Sequence, residues 1–593
     1  MILDQEIPKF FDWFLQSLIV AFPVTIFCVA FFGWLIGFLI SATRRGPVEG
    51  FYAVAKVIAG AVSDVVHFSL RRTIAMTMLA VRESLRRKVL IAFAVFVVVM
   101  LLAGWYLDVK SDQPARLYLS FVLTASNYLV LLLALFLSTF SLPNDFKNRT
   151  IHTIVTKPVR PLEIVLGRVL GFMFVGTVIL AAMCLVSFFF VRSGLRHQHQ
   201  FSVPEGQVAS ATKGQTTTDA HHHHTFELGT DGNGMTDVTA GHTHSVTKTA
   251  DGIQVRPPSG MLQARVPKRG TLQFFDRSGK PGSGVNVGSE WMYRSYIEGG
   301  TLAAAVWTFE NMTADRYPDG FELEKDIRVF RTHKGNIEKG IRGSIYLVNP
   351  NPAAKVKTSE EIPFVAREFV VDKQFIPRRL KAIEDGAVRD VDLFEALTHE
   401  GKLQVRILCS DPGQYFGMAP ADVYVLDAEA PFWWNFVKGY IGIWLQMLLV
   451  TTFGVMFSTF LSGAVAMMAT LSCIVIGFFP QFIVGVARGS IEGGGPTEAL
   501  IRIVTQANLS TDLDLPNWGV NIIRALDFLF MQVMQVGANI LPNYGDFNTA
   551  PWVAYGYNIE PALLGMHLLR GLAYFVVVSL VAYFFLKTRE VAK

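Results

Sequence analysis

Long uncharged apolar runs constrain this chain more than any other feature. A bilayer core of roughly 30 Å takes about 20 apolar residues as helix. Seven stretches of that kind occur, at 13–43, 89–107, 117–142, 169–191, two within 439–487, and 563–586. The 439–487 run holds 49 uncharged residues, about twice one crossing. Ser458-Thr459 and Ser462-Gly463 offer turn chemistry at its middle, so it reads as a tight helical hairpin. With 51% apolar and only 17% charged residues, and a mean hydropathy of +0.36, the chain is too apolar for a soluble enzyme of 593 residues. The expected fold class is a polytopic α-helical membrane protein of about seven spans with an inserted external domain, mainly β and sandwich-like.

Charge sets the expected orientation. Between Arg44 and Lys88 there are nine Lys or Arg against three acids, and Lys147, Arg149, Lys157, Arg160 and Arg168 form a second basic group. Lys587, Arg589 and Lys593 form a third. Seven alternating crossings put all three on one side, which the positive-inside rule makes cytosolic, and place the N-terminus outside. Residues 1–12 carry Asp4, Glu6 and Asp12 against Lys9, unlike the basic start of a signal peptide, so the first span is expected to stay in place. Of four cysteines, Cys28, Cys184 and Cys473 fall in apolar runs and Cys409 stands alone, which leaves no disulfide framework.

Between the third and fourth runs lies a charged, proline-punctuated segment, 141–171. Residues 145–155 read as a short helix that ends at Lys157-Pro158, and Pro161 starts another helix that runs into the membrane. Ahead of the second run, 73–88 is a basic amphipathic helix, with Ile74, Met78, Val81 and Leu85 on one face and Arg72, Arg82, Arg86, Arg87 and Lys88 on others. Residues 46–70 read as a further helix near the cytosolic surface. The order Asp145, Arg149-Thr150-Ile151, Thr156-Lys157-Pro158-Val159-Arg160, Glu163-Ile164-Val165-Leu166-Gly167-Arg168 resembles the loop between the second and third spans of ABC type-2 exporter permeases. In that family the loop sits on a separate ATPase, so the resemblance implies coupling roles for Asp145, Arg149, Thr150, Lys157, Pro158, Arg160 and Glu163. Helix 73–88 resembles the family's elbow helix. The resemblance covers roughly 73–191 and 439–593, and the chain departs from it by an extra N-terminal span and by some 240 residues between the family's third and fourth spans.

Those extra residues, 192–431, are expected outside. Residues 252–431 show short period-two runs at 262–266, 305–309, 327–330, 341–348, 364–371, 403–409 and 423–426, separated by Gly, Pro and Asp, which argues an antiparallel β-sandwich. Residues 192–251 are low in complexity and rich in histidine. His197, His199, His221, His222, His223, His224, His242 and His244 make eight of the thirteen histidines, within 48 residues. In extended chain His-x-His turns both rings to one face, so each pair offers two imidazoles to Zn, Cu or Ni. The turn-forming stretch 230–234 can fold the 221–224 group back against His242. The plain alternative is a flexible polar linker without metal. Residues 488–562 read as an external or re-entrant helical insertion. Within it 516–541 is interrupted by Arg524 and Asp527, which disfavours an eighth span.

The expected domain plan is an extra N-terminal span (1–43), cytosolic amphipathic helices (44–88), spans two to four with the coupling loop 143–168 (89–191), the histidine-rich segment (192–251), the β domain (252–431), a transmembrane hairpin (432–487), the insertion (488–562), and the last span with a cytosolic tail (563–593). No phosphate-binding loop, His-Glu-x-x-His, Gly-x-Ser-x-Gly or Cys-x-x-Cys occurs. What the resemblance implies is the permease subunit of an ABC exporter in the cell membrane. It is not itself an enzyme, it is paired with an ABC ATPase, and it works as a homodimer or heterodimer with no nucleic acid partner. The other reading is a non-transporting membrane anchor that displays a metal- or ligand-binding β domain.

Overall fold

The structure, a computed structural model, describes residues 8–86, 90–107, 113–149, 158–202, 213–229, 232–237, 239–249, 252–285, 294–332, 340–366, 371–384, 386–488, 493–508 and 515–589. It contains two compact units: a helical unit formed by 7–262 with 432–593, and a mostly β unit formed chiefly by 263–431.

Five helices of the first unit are long and apolar enough to cross a membrane: α1 (Phe10–Arg45), α5 (Pro114–Lys147), α6 (Pro161–Gly194), α7 (Phe432–Ser458) and α12 (Pro561–Thr588). Shorter helices lie among them, namely α2 (Pro47–Val66), α3 (Leu70–Arg86), α4 (Leu90–Tyr106), α8 (Gly463–Phe478), α9 (Pro480–Ala487), α10 (Pro496–Thr505) and α11 (Asn517–Ile540). The expected hairpin at 439–487 is present as α7 and α8, and its turn falls at Thr459–Ser462 as the Ser, Thr and Gly content requires. The expected second span, 89–107, is the apolar α4, and α2 and α3 meet at a 93° bend.

α7 is the hub of the bundle, with more than three quarters of its apolar window buried. The hydroxyls that it buries are satisfied laterally: Tyr440 Oη bonds Ser126 of α5 at 2.9 Å and Ser187 of α6 at 2.7 Å. Such hydroxyl contacts and small residues hold helices together where lipid removes the hydrophobic drive. α6 carries Gly167 and Gly171 four apart, and on this face α3 lies against it. A Cβ at Gly171 would stand 2.5 Å from Ala80 Cβ and 2.8 Å from the Thr77 carbonyl.

One sequence expectation changes here. Residues 145–147 do not begin a separate short helix but extend α5, which passes through Pro143 to end at Lys147. Thr150 and Lys157 lie outside the described residues. In the insertion, α11 is a 24-residue helix and is not among the five apolar helices. Its buried Asp527 accepts the amides of Thr497 at 2.6 Å and Glu498 at 3.0 Å, capping the start of α10.

The β unit is antiparallel throughout its described pairings, in sheets of nine, four and three strands whose inner faces share one core. Trp307, Phe309, Ile345 and Val405 enter from the nine-stranded sheet, Phe321, Leu323 and Val425 from the four-stranded, and Phe416 and Met418 from the three-stranded. The runs read at 341–348 and 403–409 are the strands Ile341–Val348 and Leu403–Cys409, each with alternate residues buried along most of its length.

The close approach of α3 to α6 makes a direct test. Gly171→Val must displace Ala80 and the Thr77 backbone, which costs about 1–3 kcal/mol. The melting temperature of the detergent-solubilised protein should fall by several degrees. Gly33→Val, where nothing lies within 4 Å, should leave it unchanged. Equal effects from both variants would contradict the packing described.

Candidate metal centre and basic elbow

The histidine-rich tract, in its described residues, is folded into strands and belongs to the helical unit, whose first segment runs to Leu262. Its strands β1 (Phe201–Ser202), β2 (Lys213–Thr216), β3 (Thr225–Leu228), β4 (Asn233–Thr236), β5 (Ser245–Thr249) and β6 (Gly252–Val255) form one antiparallel meander. A small core of Phe226, Leu228 and Val246 closes it. The sequence underneath is a 20-residue repeat. Gly214, Thr216, Ala220, His222, His224, Asp231 and Gly232 recur as Gly234, Thr236, Ala240, His242, His244, Asp251 and Gly252.

Each repeat builds the same device. The first two repeat histidine pairs follow tight turns whose central residues take positive φ, Ala220 (47°) with His221 (65°) and Ala240 (50°) with Gly241 (73°). The bridges Asp219 to His222 and Thr239 to His242 close these turns. The backbone amides of His224 and His244 then donate to Thr216 and Thr236 Oγ1 at 2.9 and 2.8 Å. A third pair, His197 and His199, leaves the end of α6 and enters β1.

The three His-x-His pairs converge, and His197, His199, His222, His224, His242 and His244 surround one point. Each ring has four others at centroid distances of 4.6–5.3 Å. The fifth stands opposite: His197 faces His224, His199 faces His242, and His222 faces His244. That is the arrangement of the corners of an octahedron. The sequence offered all six residues, but it also offered His221 and His223, which are exposed and stand outside both four-histidine sets.

Hydrogen bonding prepares all six rings alike. The leading histidine of each pair has Nδ1 on a carbonyl two residues back: His197 on Leu195 (3.1 Å), His222 on Ala220 (3.1 Å) and His242 on Ala240 (3.2 Å). The trailing histidine reaches a later segment: His199 to Thr217 (2.7 Å), His224 to Asp237 (3.0 Å) and His244 to Arg256 (2.7 Å). A carbonyl only accepts, so each Nδ1 carries the proton and each Nε2 turns a lone pair inward. Four pairs of Nε2 atoms lie 2.9–3.2 Å apart, and His244 Nε2 is buried without a hydrogen-bond partner. Lone pairs that close repel one another unless a cation sits among them. The cluster could therefore hold a metal ion, and two overlapping four-histidine sets already bring their ligand nitrogens within 4.8 Å.

Burial favours the neutral form of His197, His222, His224, His242 and His244. It lowers the His197, His222 and His224 imidazoles below their usual range and pushes His242 down to about 3 and His244 to about 4, with the neighbouring imidazoles adding to the effect. Asp219 is held low by the amides of Gln198 and Ala220, which fastens the first pair to the turn of the second.

The expected coupling residues occupy the other end of the bundle. Glu163, fully buried, accepts from the amides of Ser69 (2.9 Å) and Arg160 (3.0 Å) and from the Arg72 guanidinium (2.8 Å). Arg168, also buried, pairs with Glu83 of α3 and Asp145 of α5. Arg160 pairs with Asp64, which also receives Lys587 at 2.7 Å and Tyr583 at 2.8 Å from α12. Asp145, Arg160 and Glu163 are thus engaged within the chain, while Arg149, at φ 58°, and Pro158 are exposed or partly so. Sequence reading missed Asp64, Arg72 and Glu83 as the partners, because nothing local marks an acid 96 residues away as the mate of Arg160.

Lowered histidine pKa values fix a sign. The unfolded tract takes up protons near pH 6.5, while folded His242 and His244 resist until about pH 3 and 4, so the stability of the metal-free sheet falls as pH drops below about 6.5. Limited proteolysis of the metal-free protein should cut within 213–255 faster at pH 5 than at pH 7.5. Equal rates would contradict the burial of neutral imidazoles. No known protein family, curated protein or solved structure matches this chain.

Proposed function

We propose that this chain is the membrane-spanning permease subunit of an ABC exporter, driven by a separate ATPase. The observation that carries the reading is the mechanical junction at the basic end of the helical unit. There α3, the last turn of α5 and the first turns of α6 are joined by the buried Glu163 and Arg168. A push on the exposed residues Asn148, Arg149 and Pro158 would move α3, α5 and α6 as one piece, because separating them strands buried charge at a cost of several kcal/mol. An amphipathic helix locked to two apolar helices in this way suits force transmission better than it suits anchoring.

In this reading all seven apolar segments cross the cell membrane, with the basic junction cytosolic and the histidine tract and β unit outside. Two permease copies, or this chain with a related one, enclose the path. ATP-driven dimerisation of the partner ATPases presses on the elbow and tilts the bundle to open it outward. A resident divalent ion at the histidine centre belongs to the same reading, zinc and copper being the ions that paired His-x-His motifs suggest on their own.

Two measurements check this. A cysteine at Asn148 should react with an impermeant maleimide only after permeabilisation, whereas one at Ala387 should react in intact cells. The opposite labelling would overturn the orientation. Arg149 is the better probe of docking than Arg160, since reversing Arg160 first breaks its pair with Asp64. Arg149→Glu should leave melting temperature unchanged and cut ATPase association at least tenfold, whereas Glu163→Ala should lower stability by on the order of 3 kcal/mol. Full association with Arg149→Glu would count against docking at this turn.

A further inference from the structure

The six-fold geometry of the histidine centre reaches further than the presence of a metal. Four of the twelve Nε2 edges measure 2.9–3.2 Å, and an octahedron with edges of that length has its centre about 2.1–2.3 Å from each corner, the length of a bond from imidazole to a first-row divalent ion. Six nitrogens at that distance leave no position open for water or substrate, so the centre is structural and not catalytic. Zn²⁺ prefers four ligands in a tetrahedron, Cu²⁺ prefers a tetragonal set, and Mg²⁺ and Ca²⁺ take oxygen. Six equivalent imidazoles suit the octahedral ions Fe²⁺, Co²⁺ and Ni²⁺.

The ligands also come from separate segments, which the strand ladder and the contacts of Gln198 with Asp219 and Gln200 with Thr217 bring side by side. His197 and His199 follow shortly after α6, while the remaining four lie 25 to 47 residues beyond His197. The cleft beside His197 and His222 is lined by Pro114 of α5, Gly194 and Leu195 at the end of α6, and Met261. Among the described residues the core of the little sheet is small, with Phe226, Leu228 and Val246 buried and Phe201, Ile253 and Val255 packed against them. An ion that draws all three pairs together reinforces that closure, and its binding energy adds to the folding energy of the tract.

We propose that His197, His199, His222, His224, His242 and His244 bind one octahedral first-row divalent ion, of the Fe²⁺, Co²⁺, Ni²⁺ class in preference to Zn²⁺, and that this ion clamps the 197–261 sheet onto the end of α6. The inference rests on the metal-binding reading of the centre and is independent of transport. Sequence repetition explains part of this: two copies of the strand-turn unit, with the pair that follows α6, give three equivalent pairs around a pseudo-threefold axis, which is the symmetry that six-coordination needs.

The test uses the full chain purified in mild detergent, stripped with a chelator and equilibrated with Ni²⁺ and Zn²⁺ at equal free concentrations. The expected result is one ion per chain, Ni²⁺ over Zn²⁺ by about tenfold or more, with X-ray absorption showing six nitrogen neighbours. Hydrogen exchange should slow on metal addition both in 213–261 and at the end of α6, near 190–202. His222→Ala should lose six-coordination, while His223→Ala, outside the cluster, should keep it. Retention of no ion would overturn the metal reading itself. A preference for Zn²⁺ with four nitrogen neighbours would leave that reading standing and overturn the six-coordinate assignment. Unchanged exchange at the end of α6 would overturn the clamp.

Discussion

Two buried charges on the first two turns of α6 organise the helical unit. Glu163 and Arg168 are almost completely shielded from solvent, and a charge in that position is tolerated only when opposite charge and hydrogen bonds surround it. Their partners come from α3, α5 and the turn before α3, so satisfying these charges fixes where those elements lie. The glycines at 167 and 171 make the same demand from the apolar side, since α3 reaches α6 only where no side chain intervenes. Electrostatics and packing thus specify one docking of the amphipathic helix, and the basic end of the bundle acquires a rigid surface.

The opposite end is built on a different principle. There the apolar core is small, and the order rests on lone pairs and carbonyls. Six backbone carbonyls choose the tautomer of six rings, and the rings then share a centre that only a cation relieves. A buried charge junction at one end and a nitrogen cage at the other bracket the same helix, α6, which runs from Pro161 to Gly194 between them.

Much of this was legible in the sequence, and the reasons for the rest are physical. The long apolar runs located the five candidate spans and the 458–462 turn, because helices in lipid must bury their backbone polar groups internally and have few alternatives. Alternation found the central strands Ile341–Val348 and Leu403–Cys409, whose inward faces are strictly apolar. It missed Arg379–Glu384 and Ala387–Asp392, which pair at the edge of the nine-stranded sheet with charged residues on exposed faces. Composition marked the histidine tract but misjudged it as low in complexity. The period of 20 between His222-x-His224 and His242-x-His244 was the signal that it folds. Which of the eight histidines face inward depends on turns with positive φ, and local sequence there does not distinguish His221 from His222.

The central claim is that the exposed turn after α5 transmits force from a partner ATPase. The most direct measurement is site-specific photo-cross-linking in the native membrane, with a photoreactive residue placed at Asn148 and the adduct identified by mass spectrometry. The account predicts an adduct with an ATP-binding-cassette ATPase that changes in yield between nucleotide-free and ATP-bound states. Adducts with lipid alone, or with this chain alone in every nucleotide state, would contradict it.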